Sequence, residues 1–188
     1  MSYGIERDEA LALVREHLHN ENLVNHSLAS EAVLQAMARK LGHDETKWGL
    51  AGLLHDLDAE SEPDLATHTK KTVAILTEKG VDPEIVEAIR LHNLEPYPGE
   101  SRTTPLQHSL AAGETITGLV TAAALVRPDR QLGSVKVKSI TKRYKERAFA
   151  RGANREIIAE CELVGIPLAD FCALSLEAMQ AIAGEIGL

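Results

Sequence analysis

Residues 45–58, ETKWGLAGLLHDLD, run apolar from Trp48 to Leu54 and then end on His55, Asp56 and Asp58. A helix that is apolar on every face belongs inside the fold, so its polar end meets either a cavity or solvent. The segments on either side follow the same helical period. Upstream, ENLVNHSLASEAVLQAMARKLG (21–42) sets Leu23, His26, Ala29, Val33, Ala36, Met37 and Leu41 along one broad stripe, with Gly42 as its stop. An earlier helix is expected over residues 5–19, from Leu11, Val14 and Leu18. Downstream, SEPDLATHTKKTVAILTEKG (61–80) predicts a helix with Pro63 near its start and Gly80 past its end. DPEIVEAIRLHN (82–93) opens on an Asp82 and Pro83 capping signal. A Pro/Gly-containing loop, EPYPGESRT (95–103), leads to a long apolar helix, TPLQHSLAAGETITGLVTAAALV (104–126), which Pro128 ends.

Three further helical candidates follow: SVKVKSITKRYKERAFARG (134–152), NREIIAECELVG (154–165) and PLADFCALSLEAMQAIAGEIG (167–187). The VKV and LVTAAALV runs have no partner strands joined by hairpin turns, so the expectation is an all-α bundle. The 188 residues and 44% hydrophobic content suit a single domain spanning 1–188. Its candidate metal-site core lies at about 20–128, with a helical extension at about 134–188.

A formal charge of -8 disfavours nucleic acid or an anionic membrane as partner, and 3% aromatic residues leave little for base stacking. Two cysteines are too few for a disulfide scaffold, and the opening residues show neither a signal peptide nor a transit bias. A reduced, cytoplasmic location is therefore expected. Oligomeric state is not legible, because a long apolar helix closes a monomer core as readily as a dimer interface.

The chemical signal lies in polar residues that interrupt apolar helices. His55 and Asp56 offer a nitrogen and a carboxylate donor, which suit a divalent ion, with the nitrogen content favouring a transition metal over magnesium. His26 in the preceding stripe, His68 one helix later, His92 at the end of the next and Glu114 within the long apolar helix are the companions. Taken singly, each has an ordinary structural explanation: a hydrogen-bonded core histidine, a solvent-facing residue among lysines, a helix-end cation, a local polar face. A buried carboxylate nevertheless needs pairing or ligation, and five consecutive helices contributing one such residue each could enclose a cation.

The order His26, His55-Asp56, Glu114 resembles the H...HD...D pattern of the HD superfamily. HNLEP (92–96), AAGETITGLVTAAALVRPD (111–129) and KVKSITKRYKERAFARGANRE (136–156) are similar to a group of small bacterial HD proteins described as predicted metal-dependent phosphohydrolases. In that group Ala-Asp is common where this chain has Gly113-Glu114.

The resemblance implies an all-α HD bundle. It implies that His26, His55, Asp56 and Glu114 hold a first ion, that His68 and His92 hold a second, and that Asp56 bridges them. Iron or manganese is expected, with zinc or magnesium as alternatives. The implied reaction is hydrolysis of a phosphate-containing small molecule, a nucleotide-like phosphomonoester or phosphodiester, with Asp56 and Asp58 as catalytic candidates. Lys136, Lys138, Lys142 and Arg143 are substrate-contact candidates from the basic run 136–151, which also holds Lys145, Arg147 and Arg151. An HD-type di-iron oxygenase and a nucleotide-binding sensor with weak turnover are the alternatives.

Overall fold

A computed structural model describes residues 3–188, and among them the chain forms nine α-helices and no strand. These are α1 (Arg7–His17), α2 (Glu21–Leu41), α3 (Glu45–Leu54), α4 (Lys70–Glu78), α5 (Pro83–His92), α6 (Pro105–Leu125), α7 (Val137–Lys145), α8 (Arg155–Ile158) and α9 (Leu168–Ala181). Tight 3-10 turns occupy Leu132–Ser134 and Ala159–Val164. The all-α expectation holds.

Most of the long helices start where a side chain satisfies the free N–H groups of the first turn. Asn20 caps α2, Asp44 caps α3 by accepting from the Lys47 N–H, and Asp82 accepts from Glu84 and Ile85 at α5. At α6 the Thr104 hydroxyl and the Gln107 side chain cap each other's backbone, with Pro105 in the first turn. Gly42 ends α2 in the left-handed conformation, at φ 74°.

α3 sits in the middle, as its composition requires: Trp48 through Leu54 are all buried. α2 lies along it, and α6 packs against α2, α5, α7, α8 and α9, so residues beyond 134 join the same apolar cluster. The contact between α2 and α3 is close because of a glycine. A Cβ on Gly52 would lie 2.6 Å from the Ser30 carbonyl oxygen, and one on Gly113 would lie 2.5 Å from a Leu34 methyl. Cys161 and Cys172 are free and buried.

Two stretches depart from the sequence reading. The segment expected to be helical from Pro63 runs in turns from 55 to 69, and α4 begins only at Lys70. Thr69 adopts φ 87°, a left-handed conformation that costs a β-branched residue on the order of 1–3 kcal/mol, and its own side chain does not cap the helix. Asp58 takes over that role from a distance: its Oδ2 accepts from the N–H groups of Lys71 and Thr72. Likewise the basic segment is helical only to Lys145, after which residues 146–154 wrap around the guanidinium of Arg155.

Substituting Gly52→Ala should push α3 off α2 and destabilise the fold by roughly 1–3 kcal/mol. Urea unfolding measures this directly. A midpoint equal to that of the unaltered protein would mean that the two helices do not touch there.

Candidate metal centre

His55 follows the last residue of α3, and His92 is the last residue of α5. Each ring turns back on its own helix: Nδ1–H of His55 donates to the Gly52 carbonyl at 2.8 Å, and that of His92 donates to the Ile89 carbonyl at 2.7 Å. These are last-turn carbonyls that have no partner within the helix. The same hydrogen bond that finishes the helix therefore places the ring proton on Nδ1 and leaves Nε2 as a lone pair pointing away.

His26 reaches the same state through another route. The Thr117 hydroxyl donates its proton to the Glu114 carbonyl at 2.7 Å, so it can only accept from His26 Nδ1–H, 2.9 Å away. His68 lies on the turn before α4, where its Nδ1 is 2.8 Å from Asp58 Oδ1.

The four Nε2 atoms converge on Asp56. Oδ1 of Asp56 lies 3.1 Å from Nε2 of His68, 3.4 Å from that of His55 and 3.5 Å from that of His92. Its Oδ2 lies 3.7 Å from Nε2 of His26. Nε2 of His26 and of His55 are 3.1 Å apart, and the Nε2 atoms of His68 and His92 are 3.2 Å apart. With the proton on Nδ1, the first of these contacts sets two lone pairs against each other. A cation between them converts that repulsion into ligation, and donors 3.1–3.7 Å apart suit bonds of about 2.0–2.2 Å to one ion.

Two donor sets result, His26, His55 and Asp56, and Asp56, His68 and His92, with Asp56 common to both. Glu114 stands at the edge of the first, with Oε2 3.8 Å from Nε2 of His26, while its Oε1 accepts from the Thr115 hydroxyl. It lies outside both compact sets.

The electrostatics favour the ligand forms of His55 and Asp56. Burial lowers His55 to about 3, against the pull of Asp56, so the imidazole is neutral at any physiological pH. Burial would raise Asp56, but His55, His68 and His92 hold it well below the ordinary carboxylate value. Burial raises Glu114, with His26 and His92 opposing it. Burial would lower His68, yet Asp56 and Asp58 raise it to about 10 in the ion-free protein. The two carboxylates thus hold positive charge at that spot, as a proton or as an ion.

Asp58 is fully buried and lines no part of the cavity. Expected to be catalytic, Asp58 instead has Oδ2 committed to two backbone N–H groups and Oδ1 beside His68, which places it to orient that ring from behind the cavity surface.

The centre forms the floor of a cavity of about 830 Å³. His26, Asp56, His68, His92 and Glu114 line it, together with Leu65, Asn93, Leu94 and Glu95. Arg102, residues 151–154 and Ile157 of the C-terminal part complete the wall.

Lys136, Lys138, Lys142 and Arg143, the expected substrate contacts, do not line the cavity. Lys136, Lys138 and Lys142 are exposed, while Arg143 pairs with Glu146 at 2.6 Å and stacks over Phe149. The reason is that α7 ends at Lys145, before the chain reaches the cavity wall, so Arg151 lies there instead.

Arg102 was not singled out by sequence reasoning, because a lone arginine in a Pro/Gly loop carries no periodic signal. It donates to both oxygens of Glu160 and to the Leu91 carbonyl. It thereby ties the end of α5, and with it His92, to the C-terminal part.

An all-helical fold with histidines and a shared aspartate at helix ends defines a metal-binding domain of the histidine–aspartate class. The HD domain family matches residues 23–125, more than half of the chain, and this protein belongs to that family. Over 146 residues it is 29% identical to Ribonuclease Y of Thermosipho melanesiensis, which covers 74% of this chain and 27% of that protein. Over 101 residues it is 29% identical to Ribonuclease Y 2 of Levilactobacillus brevis, covering 53% and 18%. The chain thus spans about a quarter or less of the length of these curated relatives. No solved structure matches it significantly. Family and donor set together point to a divalent metal.

Replacing Asp58 with Asn removes the anion beside His68 Nδ1 while keeping the shape. It should weaken the ion held by His68 and His92 by about 10–100-fold, the usual effect of removing a hydrogen-bonded partner of a ligand histidine. Equilibrium dialysis against manganese should then show one tightly bound ion fewer than in the unaltered protein. Identical binding curves would show that Asp58 only caps α4.

Proposed function

We propose that this protein is a metal-dependent phosphohydrolase acting on a small, nucleotide-like phosphate ester, a monoester or diester. One observation supports this most: four imidazole Nε2 atoms converge on the Asp56 carboxylate, and His26, Asp56, His68 and His92 of this group line a cavity of small-molecule size. His26 and His55 would hold one ion, His68 and His92 the other, and Asp56 would contribute to both, with Glu114 beside His26 as a further carboxylate. The nitrogen-rich donor set suits iron or manganese better than magnesium. When bound, such ions supply positive charge against phosphoryl oxygens and acidify a water molecule.

The chain's own residues provide the remaining features. Thr117, Gly52, Ile89 and Asp58 keep the four rings aimed at one place, so no reorganisation is needed when a substrate arrives. Leu65, Leu94 and Ile157 give the mouth an apolar lining against which the organic part of an ester can sit. The Arg102 charge is already matched by Glu160, so it shapes the wall. The relatives named for a ribonuclease add phosphodiesters to the substrates worth testing.

The test is a panel of nucleoside monophosphates, cyclic nucleotides, dinucleotides and a single-stranded RNA oligomer. Protein purified without oxygen is loaded separately with manganese, iron, zinc or magnesium. At least one small ester should be hydrolysed in a metal-dependent way, and His55→Ala should lower that rate by at least 100-fold together with bound metal. No hydrolysis by fully loaded protein would contradict the proposal. RNA cleavage faster than that of every small ester would place the substrate in another class.

A further inference from the structure

The C-terminal wall of the cavity belongs to none of the residues matched by the HD family, which end at 125. It has an unusual electrostatic construction. Arg155 is 9% exposed and has no carboxylate within ion-pair distance among the described residues. Its guanidinium instead donates to six backbone carbonyls, those of Arg143, Tyr144, Glu146, Phe149, Ala150 and Ala153.

A cation buried without a counter-ion keeps its field, because carbonyl dipoles satisfy its hydrogen bonds without cancelling its charge. The loop gathered around it takes a left-handed step at Ala150, at φ 45°, and exposes Arg147 and Arg151. Arg151 makes no ion pair among the described residues. Arg147 approaches Glu156 only at 4.0 Å, with both side chains more than 80% exposed, a contact that water screens almost completely.

These three arginines line a recess of about 280 Å³. Arg151, Ala153 and Asn154 border both the recess and the metal cavity, so the two adjoin across these residues. The acidic groups around this region are Glu156 at the recess and Asp56, Glu95 and Glu114 in the adjoining cavity. In a chain of formal charge -8, the two exposed guanidinium groups of Arg147 and Arg151, with the buried charge of Arg155 behind them, outweigh one exposed carboxylate and reverse the local sign at the recess.

We infer that this recess is a second anion subsite: it takes a phosphate group of the substrate other than the one at the metals. It thereby favours nucleotide-like esters with at least two phosphate groups over those with one. Guanidinium groups match phosphate oxygens in planar, paired hydrogen bonds, and Arg151 stands where the two spaces meet. The inference rests on the proposed hydrolase only for what occupies the metals. The anion preference of the recess stands apart from it.

Two measurements test it, both on the full chain. In the first, inorganic tripolyphosphate is titrated calorimetrically into protein freed of metal by chelation and dialysis. Binding should be at least tenfold weaker in the double variant Arg147→Ala, Arg151→Ala, and Arg151→Lys should keep part of it because the charge remains. Both side chains are exposed, so the variants are expected to fold, and circular dichroism checks that. Equal binding by the unaltered protein and the double variant would overturn the subsite.

In the second, manganese-loaded protein is given adenosine 3′,5′-bisphosphate and adenosine monophosphate. The ratio of their kcat/KM values should be tenfold or more, and should fall towards one in Arg151→Ala. A ratio near one in the unaltered protein would also overturn the inference. Arginine-dependent tripolyphosphate binding with no ester hydrolysed would support the subsite while removing the hydrolase reading.

Discussion

The centre depends on where four protons sit. Each histidine around Asp56 has its Nδ1 occupied by a different neighbour: the Gly52 carbonyl, the Ile89 carbonyl, the Thr117 hydroxyl and the Asp58 carboxylate. A neutral imidazole has one N–H, so fixing it on Nδ1 fixes a lone pair on Nε2. With His68 protonated between its two carboxylates, three lone pairs, those of His26, His55 and His92, face one carboxylate in the absence of an ion, and a bound ion would engage all four rings. The raised value of His68 expresses the demand for positive charge, because Asp56 and Asp58 retain a proton there in the absence of an ion.

The rest of the fold serves to bring those rings together. α3 approaches α2 closely because position 52 is glycine, and the Gly52 carbonyl is also the partner of His55. Asp58 joins two tasks, capping α4 across space and facing His68, so the start of that helix and the direction of that ring are set by one carboxylate. The left-handed Thr69 between them has a conformational cost that the surrounding packing must offset; its hydroxyl meets Tyr97 at 3.0 Å. Arg102 links His92 to the C-terminal part through Glu160. Residues beyond the HD region thus help to build the metal cavity as well as cover it.

The sequence made the helical scaffold legible because its signals are periodic and local. The apolar run ending at His55, the stripe containing His26 and the Asp82-Pro83 start of α5 each state their helix without help from elsewhere. What was hidden depends on contacts across the chain. Asp58 reads as an ordinary acid beside the HD pair, and only the approach of α4 shows it to be a cap and a ring orienter. The basic run 136–151 reads as one helix, but Arg155 draws carbonyls from it and breaks it after Lys145, which moves the cavity-facing cation to Arg151. Backbone carbonyls such as those of Gly52 and Ile89 have no signature in sequence at all.

The most direct measurement of the central claim is anomalous X-ray scattering from crystals of the full chain grown with manganese. The account predicts two peaks flanking the Asp56 carboxylate, one ringed by Nε2 of His26 and His55 and the other by Nε2 of His68 and His92. Density at fully supplied manganese with no anomalous peak near Asp56, or histidines ligating through Nδ1, would contradict it.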